Sequence, residues 1–250
     1  MPNKKLKILF AAAEVAPLAK VGGLGDVAGA LPKALRELNL DVRVIIPFYG
    51  LIDKNKYKIK LIKQNIKSGG ASINLWQTKL PDSTVPVYLI EHDFFSGNEI
   101  YDSALADSSA DINKYIFFSQ AILANIKAIN FAPDIIHLND WHTAPVAKLL
   151  KTDRFFSNAK TLYTIHNLAN QGITDSKNYM AEGILNSNLI NTVSPTYAKE
   201  ILGPDQSAGL EKILKNRQTD LYGILNGIDT DFFNPATDNL IKQKYSLKNL

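Results

Sequence analysis

Residues 20–27 read KVGGLGDV: a lysine, three glycines within four positions, and the opening of a helical pattern. This combination can hold an anion. Gly22, Gly23 and Gly25 carry no Cβ, so the backbone can come close to a ligand. A helix starting here offers unpaired N–H groups and a partial positive charge. Lys20 adds a full charge, and a phosphate suits all three features. No Gly-Lys-Ser/Thr follows at the spacing of a P-loop. Gly23, Gly25 and Gly29 nearly match a dinucleotide fingerprint, yet the second strand runs out as VIIPFYG, with no acid to hold a ribose. The plainer alternative is a tight strand-to-helix turn with a solvated lysine.

Two further stretches carry polar groups at strand ends. HLNDWHTA, residues 137–144, puts Asp140, Trp141 and His142 on a strand-to-helix loop. A carboxylate and an imidazole can bond hydroxyls and an indole can cover a sugar face, so a polyhydroxylated ligand fits. Alternatively Asp140 or Thr143 caps the next helix and Trp141 belongs to the core. His137, Asp140 and His142 match no familiar zinc spacing. YTIHNLANQG, residues 163–172, places His166 at another strand end, where a lone histidine serves structure as readily as catalysis. DTD at 229–231 has the form of a metal-binding D-x-D, but it follows NGI and can equally cap the next turn.

The elements that must position these residues are legible as short apolar runs near 6–12, 42–46, 86–90, 134–138, 160–165, 189–193 and 221–225. They are rich in Ile, Leu and Val, as strands buried on both faces should be. Residues 57–66 and 71–78, joined by KSGG, predict an inserted antiparallel hairpin. Helical stripes run from Val27 to Leu38, with Pro32 expected to bend the helix or break its first turn, and over 111–129. Ser194 and Pro195 read as the cap and first residue of another helix. Strands alternating with helices predict an α/β fold with a doubly wound, mostly parallel, Rossmann-like sheet. In such sheets ligands bind outside the carboxyl ends of the strands. Glu14, Lys20 and the glycines, then Asp140, Trp141 and His142, then His166 and Asn167, and finally Asn226 all follow strands. The chemistry therefore converges on one rim.

The bulk numbers fit this reading. The chain has 250 residues, no cysteine and a formal charge of +4, with scattered lysines that are densest at 54–63. No disulfide or thiolate chemistry is available, and a cytoplasmic location is expected. A nucleic-acid partner would need a more concentrated basic face, and no run is long enough for a membrane span. The basic, then apolar, start reads as a first core strand rather than a signal peptide, because it leads straight into the glycine loop.

Taken together, AAAEVAPLAKVGGLGDVAGALPKAL, VPVYLIEHDFF with IY following, PDIIHLNDWHTA, TIHNLANQG, TVSPTYAKEI and GILNGIDTDFFNPATD resemble the bacterial glycogen synthases and plant starch synthases. The resemblance implies a GT-B glycosyltransferase that moves glucose from ADP-glucose to the non-reducing end of an α-1,4-glucan, with retention and without a metal or other cofactor. It covers residues 6 to about 245 and only the N-terminal, acceptor-side domain, so residues 1–250 are expected to be a single domain. The donor-nucleotide domain would have to be supplied in cis or in trans, and the chain alone is expected to transfer no glucose.

Carried over, Lys20 and the Gly22–Gly25 turn should meet the diphosphate, and Asp26 should cap the loop helix on the donor side. Tyr101 and Asn226 should line the donor pocket. Asp140 and His166 should flank the transferred glucose, with Glu14, Trp141, His142 and Asn167 in support. Three departures from the family pattern stand out: Val21 replaces a Thr or Ser, Asn170 replaces a Tyr, and the stretch between Gly172 and Leu189 is short. A non-catalytic glucan-binding or regulatory module, or a transferase using another nucleotide sugar, are the competing readings.

Overall fold

In the computed structural model, residues 5–102, 108–247 and 249 are described. Among these residues nine strands form one sheet: β1 (Lys7–Ala11), β2 (Asp41–Pro47), β3 (Lys60–Ser68), β4 (Ala71–Lys79), β5 (Pro86–Glu91), β6 (Ile135–Asn139), β7 (Lys160–Ile165), β8 (Leu189–Thr192) and β9 (Leu221–Gly223). Their order is β3-β4-β5-β2-β1-β6-β7-β8-β9. All pairings are parallel except β3 with β4 and β4 with β5. The central strands are buried along nearly their whole length, as KILFA and PVYLIE require when both faces are covered. This is the mostly parallel α/β sheet expected from the alternating pattern.

The inserted hairpin is present, but its first strand starts at Lys60, because 54–58 form turns that close on Asp53. Gly69 and Gly70 both take positive φ (55° and 81°), the left-handed pair that a two-residue hairpin turn needs. Exposed lysines on β3 blunt this edge of the sheet.

Among the described residues six α-helices connect the strands: α1 (Gly23–Glu37), α2 (Ser109–Ala128), α3 (Pro145–Leu149), α4 (Tyr179–Asn186), α5 (Pro195–Glu200) and α6 (Glu211–Asn216). Ser108 and Ser194 accept hydrogen bonds from Asp111 N and Tyr197 N, capping α2 and α5. α1 begins four residues before Val27, so Pro32 falls in mid-helix, buried, and the helix runs on through it. The glycines inside α1 serve close approach. A Cβ on Gly29 would lie 2.7 Å from Ala16 O and one on Gly25 2.8 Å from Lys20 Cγ, whereas one on Gly23 would meet nothing within 4 Å.

The chain winds outward from β1 through β2 to β5, then returns to lay β6 on the other side of β1. The switch point between β1 and β6 leaves a crevice at their carboxyl ends, where open α/β sheets bind ligands. Among the described residues no helix is long and apolar enough to cross a membrane.

Candidate active site

The loop leaving β1 is organised around Glu14, which is only 3% exposed. Its Oε2 accepts hydrogen bonds from Val21 N (2.7 Å) and Gly22 N (2.8 Å), and its Oε1 accepts one from the Tyr101 hydroxyl (2.6 Å). Burial, and after it the neighbouring Glu14 carboxylate, push the Tyr101 phenol far above its usual pKa, so it stays protonated and donates. Lys20 lies beside the start of α1 with its Nζ 2.7 Å from Asp26 Oδ1. Asp26 is therefore not the cap of this helix. Gly22 holds the cap position without a side-chain bond, and Asp26 sits in the first turn as the partner of Lys20. The N–H groups of Gly23 and Leu24 have no partner among the described residues.

At the end of β6, Asp140 adopts φ 52°, a left-handed conformation that Asp tolerates better than most residues. Its Oδ1 reaches the end of β7 and accepts from His166 N (2.8 Å) and Asn167 N (3.4 Å). Neither Asp140 nor Thr143 caps α3, which has no side-chain cap; Thr143 Oγ1 bonds back to Asn139 instead. Burial raises the Asp140 carboxyl pKa, opposed by His166 and the two N–H donors. Its Oδ2 has no protein partner among the described residues and keeps some solvent contact.

Asn139, which the sequence marks only as a polar residue at a strand end, governs His166. Its Nδ2 donates to Ala11 O (2.9 Å), which fixes the amide and leaves Oδ1 facing His166 Nε2 at 3.0 Å. An amide oxygen only accepts, so Nε2 carries the proton and Nδ1 of a neutral ring is left as the acceptor. The only sequence signal was its place as the last residue of a strand on the ligand rim.

His142 and Trp141 behave differently from the expectation. Trp141 is 1% exposed, and a Cβ on Gly172 (φ 62°) would fall 2.2 Å from its ring. The indole is packed beneath the 172 loop and cannot cover a sugar face. Among the described residues His142 makes no hydrogen bond with Asp140 and neither a hydrogen bond nor a ring contact with His166. Its ring lies 4.4 Å from Trp141, 4.5 Å from Tyr115 and 5.2 Å from Tyr101, centre to centre. Burial, and then Lys114, depress its pKa to about 3, so it is neutral, and both ring nitrogens lack a partner among the described residues. His137 is likewise held near 3 by burial and then His166, with its Nε2 2.6 Å from Thr164 Oγ1.

Asn167 is held by its own turn, with Oδ1 accepting from Ala169 N. Asn226 makes no hydrogen bond to the Lys20 loop among the described residues. It lines a cavity of about 490 Å³ between α1 and the sheet, together with His137, Asn139 and Asn191. Neither Glu14, Lys20, Tyr101, Asp140 nor His166 lines that cavity. Asp229 turns its carboxylate onto Asp231 N, Phe232 N and Lys33, as a turn cap does.

The structure thus brings Glu14, Lys20, the glycine turn and Tyr101 together on one side of the crevice, and Asp140, Asn139, His166 and Asn167 on the other. A profile described as the starch synthase catalytic domain matches residues 7–216. The chain is 38% identical over 273 residues to a glycogen synthase of Geotalea daltonii, covering 96% of this chain and 56% of that one. It is 39% identical to a glycogen synthase of Thermosipho africanus, covering 98% and 57%. The solved catalytic domain of starch synthase IV from Arabidopsis thaliana, bound to ADP and acarbose, superposes with a TM-score of 0.88 at 31% identity, covering 98% of this chain and 56% of that one. The chain spans a little over half the length of these relatives. By profile, identity and fold, it belongs to the starch synthase catalytic domain family of glycosyltransferases.

Proposed function

We propose that this chain is the acceptor-side half of an enzyme that transfers glucose from ADP-glucose to the non-reducing end of an α-1,4-glucan, with retention. A donor-nucleotide domain, in cis or in trans, supplies the other wall of the cleft. The observation that carries the reading is the crevice itself. A cationic loop with two helix N–H groups that have no partner among the described residues faces open space at Gly23, at the same β1–β6 switch point where Asp140 keeps a carboxylate oxygen with no partner among them and His166 an acceptor nitrogen. The Arabidopsis relative holds ADP and acarbose, a nucleotide and an oligosaccharide mimic of the two classes required here.

In this reading Lys20 exchanges Asp26 for the diphosphate. As the glucosyl C1–O bond breaks, charge builds on the leaving ADP, and Lys20 with the N–H groups of Gly23 and Leu24 stabilises it. Asp140 and His166 hold the hydroxyls of the transferred glucose, with Asn139 fixing the histidine tautomer. Asp140 is raised in pKa but tied to two N–H donors, which suits holding a hydroxyl. The acceptor's proton passes to the departing phosphate, so His166 need not shuttle it. Tyr101 and Glu14 complete the wall behind the loop. ADP-glucose is favoured over other nucleotide sugars by the family alone.

The test is Lys20→Ala in the two-domain enzyme, assayed with ADP-glucose and glycogen. Turnover should fall by about two to three powers of ten, the usual loss for one transition-state donor. Unchanged turnover would remove Lys20 from the donor side. Transfer by residues 1–250 alone, before any donor domain is added, would refute the half-site reading.

A further inference from the structure

Glu14 has the wrong surroundings for a residue that meets substrate. It is buried, and the three donors it accepts from all belong to this chain: Val21 N, Gly22 N and the Tyr101 hydroxyl. The two N–H groups it consumes are the ones immediately before the helix start, where an incoming anion would otherwise bind. The anion is left Gly23 N, Leu24 N and Lys20 Nζ. A Cβ on Gly25 would also sit 3.1 Å from Glu14 Oε2, so the turn is shaped around this carboxylate.

Both ends of the Glu14–Tyr101 contact are held from behind. The carbonyl before Glu14, Ala13 O, accepts from the Tyr49 hydroxyl at 2.8 Å. The carbonyl before Tyr101, Ile100 O, accepts from the Tyr115 hydroxyl at 2.7 Å and from Lys114 Nζ at 3.1 Å. The hydroxyls of Tyr49 and Tyr115 lie 3.0 Å apart, and both residues are fully buried. Asp102 N donates to Asp111 Oδ1, and the Asp102 carboxylate pairs with Lys114 Nζ at 2.8 Å. The segment 100–102 is thereby fixed to α2. A continuous set of contacts runs from α2 and Tyr49, two residues past β2, through Tyr101 and Glu14, to the backbone of the Lys20 loop.

We propose that Glu14 and Tyr101 are positioning residues, which set the Lys20–Gly25 loop in its anion-facing form by occupying the Val21 and Gly22 N–H groups, and that Glu14 acts through geometry rather than by its charge on the ligand. The inference rests on the reading of this loop as the diphosphate side of the site.

Amide exchange by NMR on the 250-residue chain tests it. In the wild type, Val21 and Gly22 amides should be protected despite their place on a surface turn. Glu14→Ala should speed their exchange by at least about tenfold, the loss expected when one such hydrogen bond is removed, while Leu9 and Val44 amides in the core keep their rates. Glu14→Gln should restore protection. Its amide oxygen can accept from both N–H groups, and its NH2 can donate to the Tyr101 oxygen. Tyr101→Phe should give a smaller loss in the same two amides, and it keeps the test alive if Glu14→Ala does not fold.

Unprotected Val21 and Gly22 in the wild type, or a Gln variant as open as the Ala variant, would overturn the proposal. Titration with inorganic pyrophosphate, followed at the Gly23 and Leu24 amides, separates it from the functional reading. Protected amides with no pyrophosphate response would sustain the positioning role and count against the diphosphate site. A response that survives in Glu14→Gln and weakens in Glu14→Ala supports both.

Discussion

The Lys20 loop and the stretch from Ile224 to Leu247 are held in opposite ways. Around the loop the polar groups are buried and paired with one another: Glu14 takes three donors, Asn139 fixes His166, and Asp140 ties β6 to β7. Beyond β9 the described residues form no helix or strand, and Leu225, Ile228, Phe232, Leu240 and Leu247 are each at least 70% exposed. It is tied to the body of the fold by Ile224 N, which donates to Thr192 O at 2.9 Å, and by the Lys33–Asp229 pair at 3.3 Å. Large apolar side chains left in water mark surfaces that are covered in use. One region is finished by the fold and ready for a ligand. The other has the composition of a surface that a further domain would cover, in keeping with the proposed function.

The sharpest way to break this comparison is at Trp141, on which the finished region rests. If the indole is core, Trp141→Ala should cost about 3–5 kcal/mol of unfolding free energy, as large-to-small changes at aromatic core positions do. Urea denaturation followed by circular dichroism reads it. A variant as stable as the wild type would return Trp141 to a ligand-facing role. Gly172→Ala should act in the same direction, because the new methyl collides with the ring and the residue must keep φ 62°.

Next in size is a dependence on acid. His137 and His142 are held near pKa 3 in the folded chain, against about 6.5 when unfolded. Between these values the unfolded chain binds protons that the folded chain refuses. Stability is therefore full above pH 6.5 and falls as the pH drops towards 3, by up to about 1.4 kcal/mol per pH unit for each histidine. His142→Gln should flatten the slope by one proton, since the aromatic bed remains and the charge is gone. Thermal melting from pH 7 to pH 4 would show it, and identical slopes in the two proteins would mean that the ring titrates normally.

Asp140→Asn probes the rim with a smaller structural effect. The new side chain keeps an oxygen for His166 N and Asn167 N but no longer buries a charge. The raised folded pKa of Asp140 means that its carboxylate costs stability as the pH rises above about 3.8. The variant should therefore melt within about 1 kcal/mol of the wild type at neutral pH, on the stable side, while glucose transfer in the two-domain enzyme is lost. A melting point many degrees lower would make Asp140 a structural brace alone.

Much of this organisation was legible because it is local. KILFA, DVRVIIP and IIHLN are apolar enough to be doubly buried, and the residues that follow them had to fall on one rim. The helix start after Lys20 and the Ser194 cap are signals of adjacent residues. What escaped depends on pairs far apart in the chain. Asn139 matters because parallel registry sets β6 between Ala11 on one side and Thr164, just before His166, on the other. Trp141 is buried by Gly172, and Asp26 is claimed by Lys20 instead of by the helix end. Asn226 could be placed after a strand but not on the cavity beneath α1, because the path of an irregular segment is not written in periodicity.

The smallest effect should come from the loosely held region. Lys33 and Asp229 are both partly exposed, and pairs of this kind contribute at most about 1 kcal/mol. Asp229 is also held by Phe232 N and Asp231 N, so its turn survives the loss of the lysine. Lys33→Ala should leave global unfolding within about 0.5 kcal/mol of the wild type. Locally the effect is larger, because this pair joins the segment to α1 along the cavity wall. Limited proteolysis at 224–231 should become a few times faster, while cleavage elsewhere is unchanged. If the cleavage rate does not move, the segment is held instead by packing around the cavity that it lines together with Val27, Leu31 and Ile8. The contrast with the Lys20 loop would then narrow from paired against unpaired to two kinds of packing.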